Sequence, residues 1–179
     1  MENLGGNERI PVVGGNWGMN PNNLIDAGQL AKGIDRNIVK APDQQVIIYP
    51  PSIYLHEVRE ILDGRNIREM AGFVHASFIT EKLEELMPNV SLGAQNFDLI
   101  TPKLGTRTGE ISARMLADIG CTHALIGHSD RRRAGETDQD VVRKIDTAFA
   151  TSCLTPTVCV GENLGDRLEI QIQHFTRRR

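Results

Sequence analysis

Ile10-Pro11-Val12-Val13-Gly14-Gly15-Asn16-Trp17-Gly18-Met19-Asn20 begins as an apolar run and turns abruptly into polar and glycine-rich chain. Such a change reads as a short buried strand whose open end carries its working side chains. In open α/β sheets and in (β/α) barrels alike, ligands gather at the carboxyl ends of the strands, so the residues just after each run are the informative ones. With the first strand taken as 10–14, four further runs fit the same description, at 45–49, 90–94, 123–126 and 157–160. All are short and rich in Val, Ile, Leu or Ala, which suits parallel strands covered on both faces.

Helix signals lie between the runs. Leu24, Ala27, Ala31, Ile34 and Ile38 recur at spacings of three and four and draw one apolar stripe. Ser112 can cap a helix that Gly120 ends. Thr137, with Asp140 three residues on, resembles a capping box opening another helix. In that helix Val141, Ile145, Ala148 and Phe149 share a face, and Asp140 and Lys144 form an i,i+4 pair on the other side. Strand and helix in alternation define an α/β protein, either a doubly wound sheet or a barrel, and periodicity does not choose between them.

Composition narrows the function classes. The 179 residues, 40% apolar and 24% charged, make one ordinary domain with a sizeable core. A net charge of -3 argues against a general nucleic-acid binder, and the arginine clusters 131–133 and 177–179 read as ion-pairing or solvated positions. Three cysteines, without CxxC spacing, suggest neither a disulfide framework nor a zinc site and fit a reducing cytoplasm. His75 has no partner at ligand spacing, so no metal is expected. No window approaches 18 consecutive apolar residues and the first ten residues lack an apolar signal core, so no membrane segment or secretory signal is expected. No GxGxxG or GxxxxGK[ST] follows any strand, which argues against a nucleotide binder.

The segments GGNWGMN, YPPSIYL, SLGAQN, RTGEIS, ALIGHSDRR and CVGE, in this order between Ile10 and Glu162, resemble triosephosphate isomerase. Six motifs in one order are far more specific than any one alone. Together with the five runs, the resemblance implies a partial (β/α) TIM barrel: about five parallel strands with helices outside, open rather than closed, forming one incomplete domain over 1–179. It also implies the interconversion of dihydroxyacetone phosphate and glyceraldehyde 3-phosphate in glycolysis and gluconeogenesis, by proton transfer without metal or organic cofactor. A triose phosphate and a second copy of the chain are the implied partners, with neither nucleic acid nor membrane.

The site residues carried by the resemblance can be named. In this family a carboxylate base moves the proton while a neutral histidine polarises the carbonyl, an established division of labour. His128 occupies that histidine's place. Asn16 matches the substrate-contacting asparagine, able to donate to a developing enediolate oxygen. Ser129 and Asp130 stand beside the histidine as supporting residues, Asp130 where the family usually has a glutamate one methylene longer. Thr108, in the loop 105–110, matches a threonine that reaches toward the partner's site in the family dimer, and Arg107 replaces a usual aromatic. Asn16, Gly18 and His128 are expected to converge on one hollow, with Asp130 nearby.

Departures from the family matter as much. Gly18 stands where the resemblance implies an essential lysine, whose ammonium would face the substrate phosphate. Complete barrels usually take about 250 residues, with ~200 as a practical lower bound. Nothing after Glu162 reads like the family's sixth strand, with its base glutamate and lid, or like its phosphate loops. Glu162 and Glu169 lie in the wrong place to serve as base, since geometry comes before pKa. Residues 64–89 read as an insertion, with FVHASFI as an extra strand and TEKLEELM as a helix carrying Leu83, Leu86 and Met87 on one side. RAGE is one residue shorter than the family spacing, which would shift Glu136. These 179 residues alone are therefore expected to be inactive as an isomerase unless another chain supplies the rest; the alternative is a non-catalytic isomerase-like interaction protein or fragment.

Overall fold

The computed structural model describes residues 10–38, 44–70, 90–99 and 107–162, with backbone only for 64–70. Among them, strands β1 (Val12–Asn16), β2 (Gln45–Tyr49), β3 (Val90–Ala94), β4 (His123–Ile126) and β5 (Thr155–Val158) form one sheet in sequence order. Each pairs in parallel with its neighbour. The helices are α1 (Leu24–Asn37), α2 (Leu55–Met70), α3 (Ala113–Asp118), α4 (Ser129–Arg133) and α5 (Asp138–Ala150), with a 3-10 turn at Ser52–Tyr54. The extra strand and helix expected within 71–89 lie outside the described residues.

Alternation along the strands sends side chains to two faces. Ile48, Val90, Leu92, Ala94, Ala124 and Ile126 pack with Ala27 and Ala31 of α1 and Leu55, Val58 and Leu62 of α2 in the main core. The opposite face buries Ile47, Tyr49 and Leu125, with Cys159 against them. Adjacent strands lie about 4.8 Å apart, so β2 and β5, three places apart, would be about 14 Å apart in a flat sheet. That is farther than a tyrosine side chain reaches, yet the Tyr49 hydroxyl is 2.8 Å from Thr157 Oγ1. The sheet is therefore curved into an open half-barrel, with Tyr49 crossing its trough. Gly93 lies under the ring: a Cβ there would stand 2.5 Å from Tyr49 Cδ1.

The three inner strands match the predicted runs; the two outer ones are displaced by two residues in opposite directions. Pro11 has no N–H and only accepts from Gln45, so the ladder begins at Val12 rather than at Ile10 and extends to Asn16. At the other edge Thr155 N already bonds Thr122 O, and Pro156 pairs opposite Ala124 inside the strand, a place that proline tolerates because one side of the strand has no partner. All five residues of β1 are exposed, as an outer strand allows.

Helix ends follow the predicted caps. Ser112 Oγ accepts from Met115 N, and Gly120 closes the turn after α3 at φ +94. Thr137 and Asp140 form a reciprocal capping box at α5. Thr137→Ala removes the side-chain half of that reciprocity, while the backbone N–H of residue 137 still donates to the Asp140 carboxylate, and is expected to cost about 1 kcal/mol in urea unfolding. The predicted faces of α5 need correction. Asp140 pairs with Arg143 and caps with Thr137, whereas Lys144 is buried and paired elsewhere. Phe149 is 66% exposed, because the sheet beneath this end of α5 stops at β5. Leu24, in the first turn of α1, is likewise exposed.

At the amino end of β4, His123 is buried in a chain of hydrogen bonds. The Thr122 hydroxyl donates to Leu92 O, so His123 Nδ1–H donates to Thr122 Oγ1 at 2.8 Å, and Nε2 accepts from Gln45 Nε2 at 3.5 Å. A protonated ring would set a second donor against the Gln45 amide. Burial holds His123 below the ordinary imidazole range. With the folded value below the unfolded value near ~6.5, the unfolded chain binds more protons in that window, so stability is full above it and falls with acidification until the lowered value is passed. Denaturation at pH 7.5 and 5.5 is expected to show a larger acid loss in wild type than in His123→Asn; equal losses would refute this.

Candidate active site

The carboxyl ends of β1 and β4 meet across the trough. Asn16 closes β1, its Oδ1 accepting from Gly18 N at 3.1 Å, and Trp17 N donates to Tyr49 O. Gln95, just beyond β3, donates from one amide nitrogen to Tyr49 O at 2.9 Å and to Gly18 O at 2.8 Å. It thereby straps the turn after β1 to β2. Gly18 itself has φ +60, the left-handed region that favours glycine, and nothing lies within 4 Å of where its Cβ would stand. The position is open in space but restricted in conformation.

Beyond β4, Gly127 turns the chain at φ +71 and His128 becomes the N-cap of α4. The His128 Nδ1 accepts from Asp130 N at 3.3 Å, so the neutral ring carries its proton on Nε2. That Nε2 stands 3.4 Å from Asn16 Nδ2. With Asn16 Oδ1 already used by Gly18, both facing atoms are donors. Two donors side by side are not a hydrogen bond but a paired address for one acceptor oxygen placed between them. The His128 side chain is 32% exposed.

The other predicted residues are scattered around this pair. Asp130 lies 3.5 Å from His128 Nδ1 through Oδ2, on the far side of the ring from Asn16, and pairs with Arg133. Ser129 is exposed in the first turn of α4, and Thr108 is exposed in the turn preceding Ser112. Arg107 pairs with Asp98 at 2.8 Å. Glu162 is exposed beyond β5; His75 and Glu169 lie outside the described residues, as do 105 and 106 of the loop. A cavity of about 210 Å³ opens beside Gln95, Asn96 and Glu110 but is lined by neither Asn16 nor His128. Among the described residues no cluster of three His, Cys, Asp or Glu is placed to hold a metal, and no helix is long and apolar enough to cross a membrane.

Sequence reasoning left Gln95 without a role, although its place directly after a strand was the available signal. It also misplaced Lys144, whose Nζ donates to Asn96 Oδ1 at 2.6 Å and meets Glu136 Oε1 at 2.5 Å. The Glu136 side chain, 6% exposed, is fully turned inward.

The family model for triosephosphate isomerase matches residues 11–78 and 68–179. The chain belongs to the triosephosphate isomerase family. Relatives named triosephosphate isomerase include that of Shewanella frigidimarina, 39% identical over 156 residues, covering 87% of this chain and 52% of the relative. That of Rhodopirellula baltica is 38% identical over 157 residues, covering 87% and 51%. That of Hydrogenovibrio crunogenus is 37% identical over 162 residues, covering 90% and 54%. The chain spans about half the length of the curated relatives it matches.

Proposed function

We propose that this chain forms the carbonyl-binding part of a triosephosphate isomerase site and is inactive alone. The carrying observation is the pair of donors, His128 Nε2 and Asn16 Nδ2, 3.4 Å apart at the strand ends. A triose phosphate carbonyl oxygen between them would accept from both. Withdrawing charge from that carbonyl acidifies the adjacent C–H. When a base takes the proton, the same donors hold the enediolate oxygen, and return of the proton to the neighbouring carbon completes the isomerisation. Gly18 has no charge with which to face the phosphate. Among the described residues the carboxylate in contact with this pair is Asp130, which sits behind the ring rather than at the substrate carbon.

The site as proposed needs a base and a phosphate cradle from elsewhere. We read 1–179 as one incomplete barrel domain acting in the cytoplasm, with 64–89 as an insertion; the two family matches meet inside that segment, at 68–78. A homo-oligomer joined through the 105–110 loop, with Thr108 reaching the partner, follows the family pattern. One observation favours the second reading, a non-catalytic isomerase-like protein: Gly18 is the relaxed residue for its left-handed turn, as expected where no lysine is needed.

The test is a titration of 15N-labelled protein with dihydroxyacetone phosphate. The His128 ring and Asn16 amide signals are expected to shift together on saturable binding, and to lose that response in Asn16→Ala. Binding that leaves both signals unmoved would reject the carbonyl site.

A further inference from the structure

Lys144 is 4% exposed on a helix where Asp140 and Arg143 pair with each other and Asp138 pairs with Arg132. Removing an ammonium from water is costly, and an ion pair in its place is no more stabilising than apolar side chains of the same shape. Here the ammonium meets Glu136 Oε1 at 2.5 Å and Asn96 Oδ1 at 2.6 Å, and stands 5.6 Å from the centre of the Phe97 ring. Glu136 Oε2 has no hydrogen-bond partner among the described residues. A buried network that is not fully satisfied is a poor device for stability alone.

Its two anchors lie beyond the carboxyl ends of two neighbouring strands, Asn96 after β3 and Glu136 after β4 and α4. Asn96 follows Gln95, the strap on Gly18 O and Tyr49 O. Glu136 closes the turn after α4, its N–H donating to Arg131 O at 3.0 Å, and His128 caps that same helix. We infer that Lys144 is a positioning residue: it ties the end of β3 to the turn after α4 and so sets the Asn16 to His128 spacing. This rests on reading that pair as the carbonyl site, but the tie can be tested without any substrate.

The experiment compares ligand-free 15N-labelled wild type with Lys144→Met/Glu136→Leu, which removes both charges and orphans neither. The double variant is expected to unfold cooperatively, while its Gln95 side-chain amide protons exchange at least tenfold faster and the His128 ring nitrogens leave the pattern of an accepting Nδ1. A folded double variant with both signals unchanged overturns the inference. Should it not fold, Asn96→Ala cuts only the β3 link, and it must speed Gln95 exchange or the inference fails. If the tie is confirmed and wild type still does not bind dihydroxyacetone phosphate, the carbonyl-site reading fails alone.

Discussion

Gly18→Lys is expected to leave the purified chain without isomerase turnover above background, even though it returns the one charge most plainly missing. Space is not the obstacle, because nothing lies within 4 Å of the new Cβ. Conformation is a modest one: φ +60 at Gly18 asks a lysine to adopt the left-handed region, at about 1–2 kcal/mol. In the proposed reading, the larger need is a base and a phosphate cradle from elsewhere. A positioned general base contributes ~10²- to 10⁴-fold, and lost phosphate contacts remove remote binding energy that would otherwise be used to lower the barrier. These two losses are not repaired from the turn after β1. A coupled assay on wild type and Gly18→Lys, with and without a co-expressed C-terminal half from a complete isomerase, separates them. Turnover is expected only in the presence of that half, higher with lysine, and down by at least ~10²-fold in His128→Ala if His128 supplies a positioned donor. Turnover by the unaided wild-type chain that vanishes in His128→Ala, with host isomerase excluded, would show that the base and phosphate site have been misplaced.

The inner strands were legible because burial on both faces writes itself into consecutive residues: Val46 and Ile48 face one core, Ile47 and Tyr49 the other. The outer strands were legible only in part. The run 10–14 passes through Pro11, which delays β1 to Val12, and the run 157–160 starts after Pro156, which sits within β5 because an outer strand asks for hydrogen bonds on one side alone. The paired donors were named from motif order, and their facing geometry follows from curvature, which no local pattern encodes. Lys144 failed differently. Helical spacing put it four residues from Asp140, a surface arrangement, while the partners that draw it inward come from 48 residues away at Asn96 and from the Glu136 turn. Asn96 lies outside any window of eighteen residues, and Glu136, though only eight residues back, sits in a turn whose path no helical or strand period describes.

Tyr49→Ala is expected to be the most damaging single substitution in the sheet, lowering stability by about 3–5 kcal/mol in urea unfolding. Its ring is 1% exposed and touches four strands: it extends from β2, covers Gly93 of β3, passes Gly14 of β1 with a Cβ position 3.3 Å away, and bonds Thr157 of β5. Much of the trough face depends on that one side chain, since the glycines facing it leave no atoms to fill the cavity. Tyr49→Phe keeps the ring and loses one hydrogen bond, so it should cost only about 1 kcal/mol. Burial, the leading influence, raises the Tyr49 phenol above its ordinary value while the Thr157 bond acts the other way, so the hydroxyl stays protonated through neutral pH. Gly93→Ala in wild type drives a methyl into the ring and should itself destabilise by about 1–3 kcal/mol. In the Tyr49→Ala background the same methyl enters the cavity instead, so its effect should change sign or fall below about 0.5 kcal/mol, a coupling that a double-mutant cycle measures directly. Additive losses at the two positions would mean that the ring does not lie on Gly93.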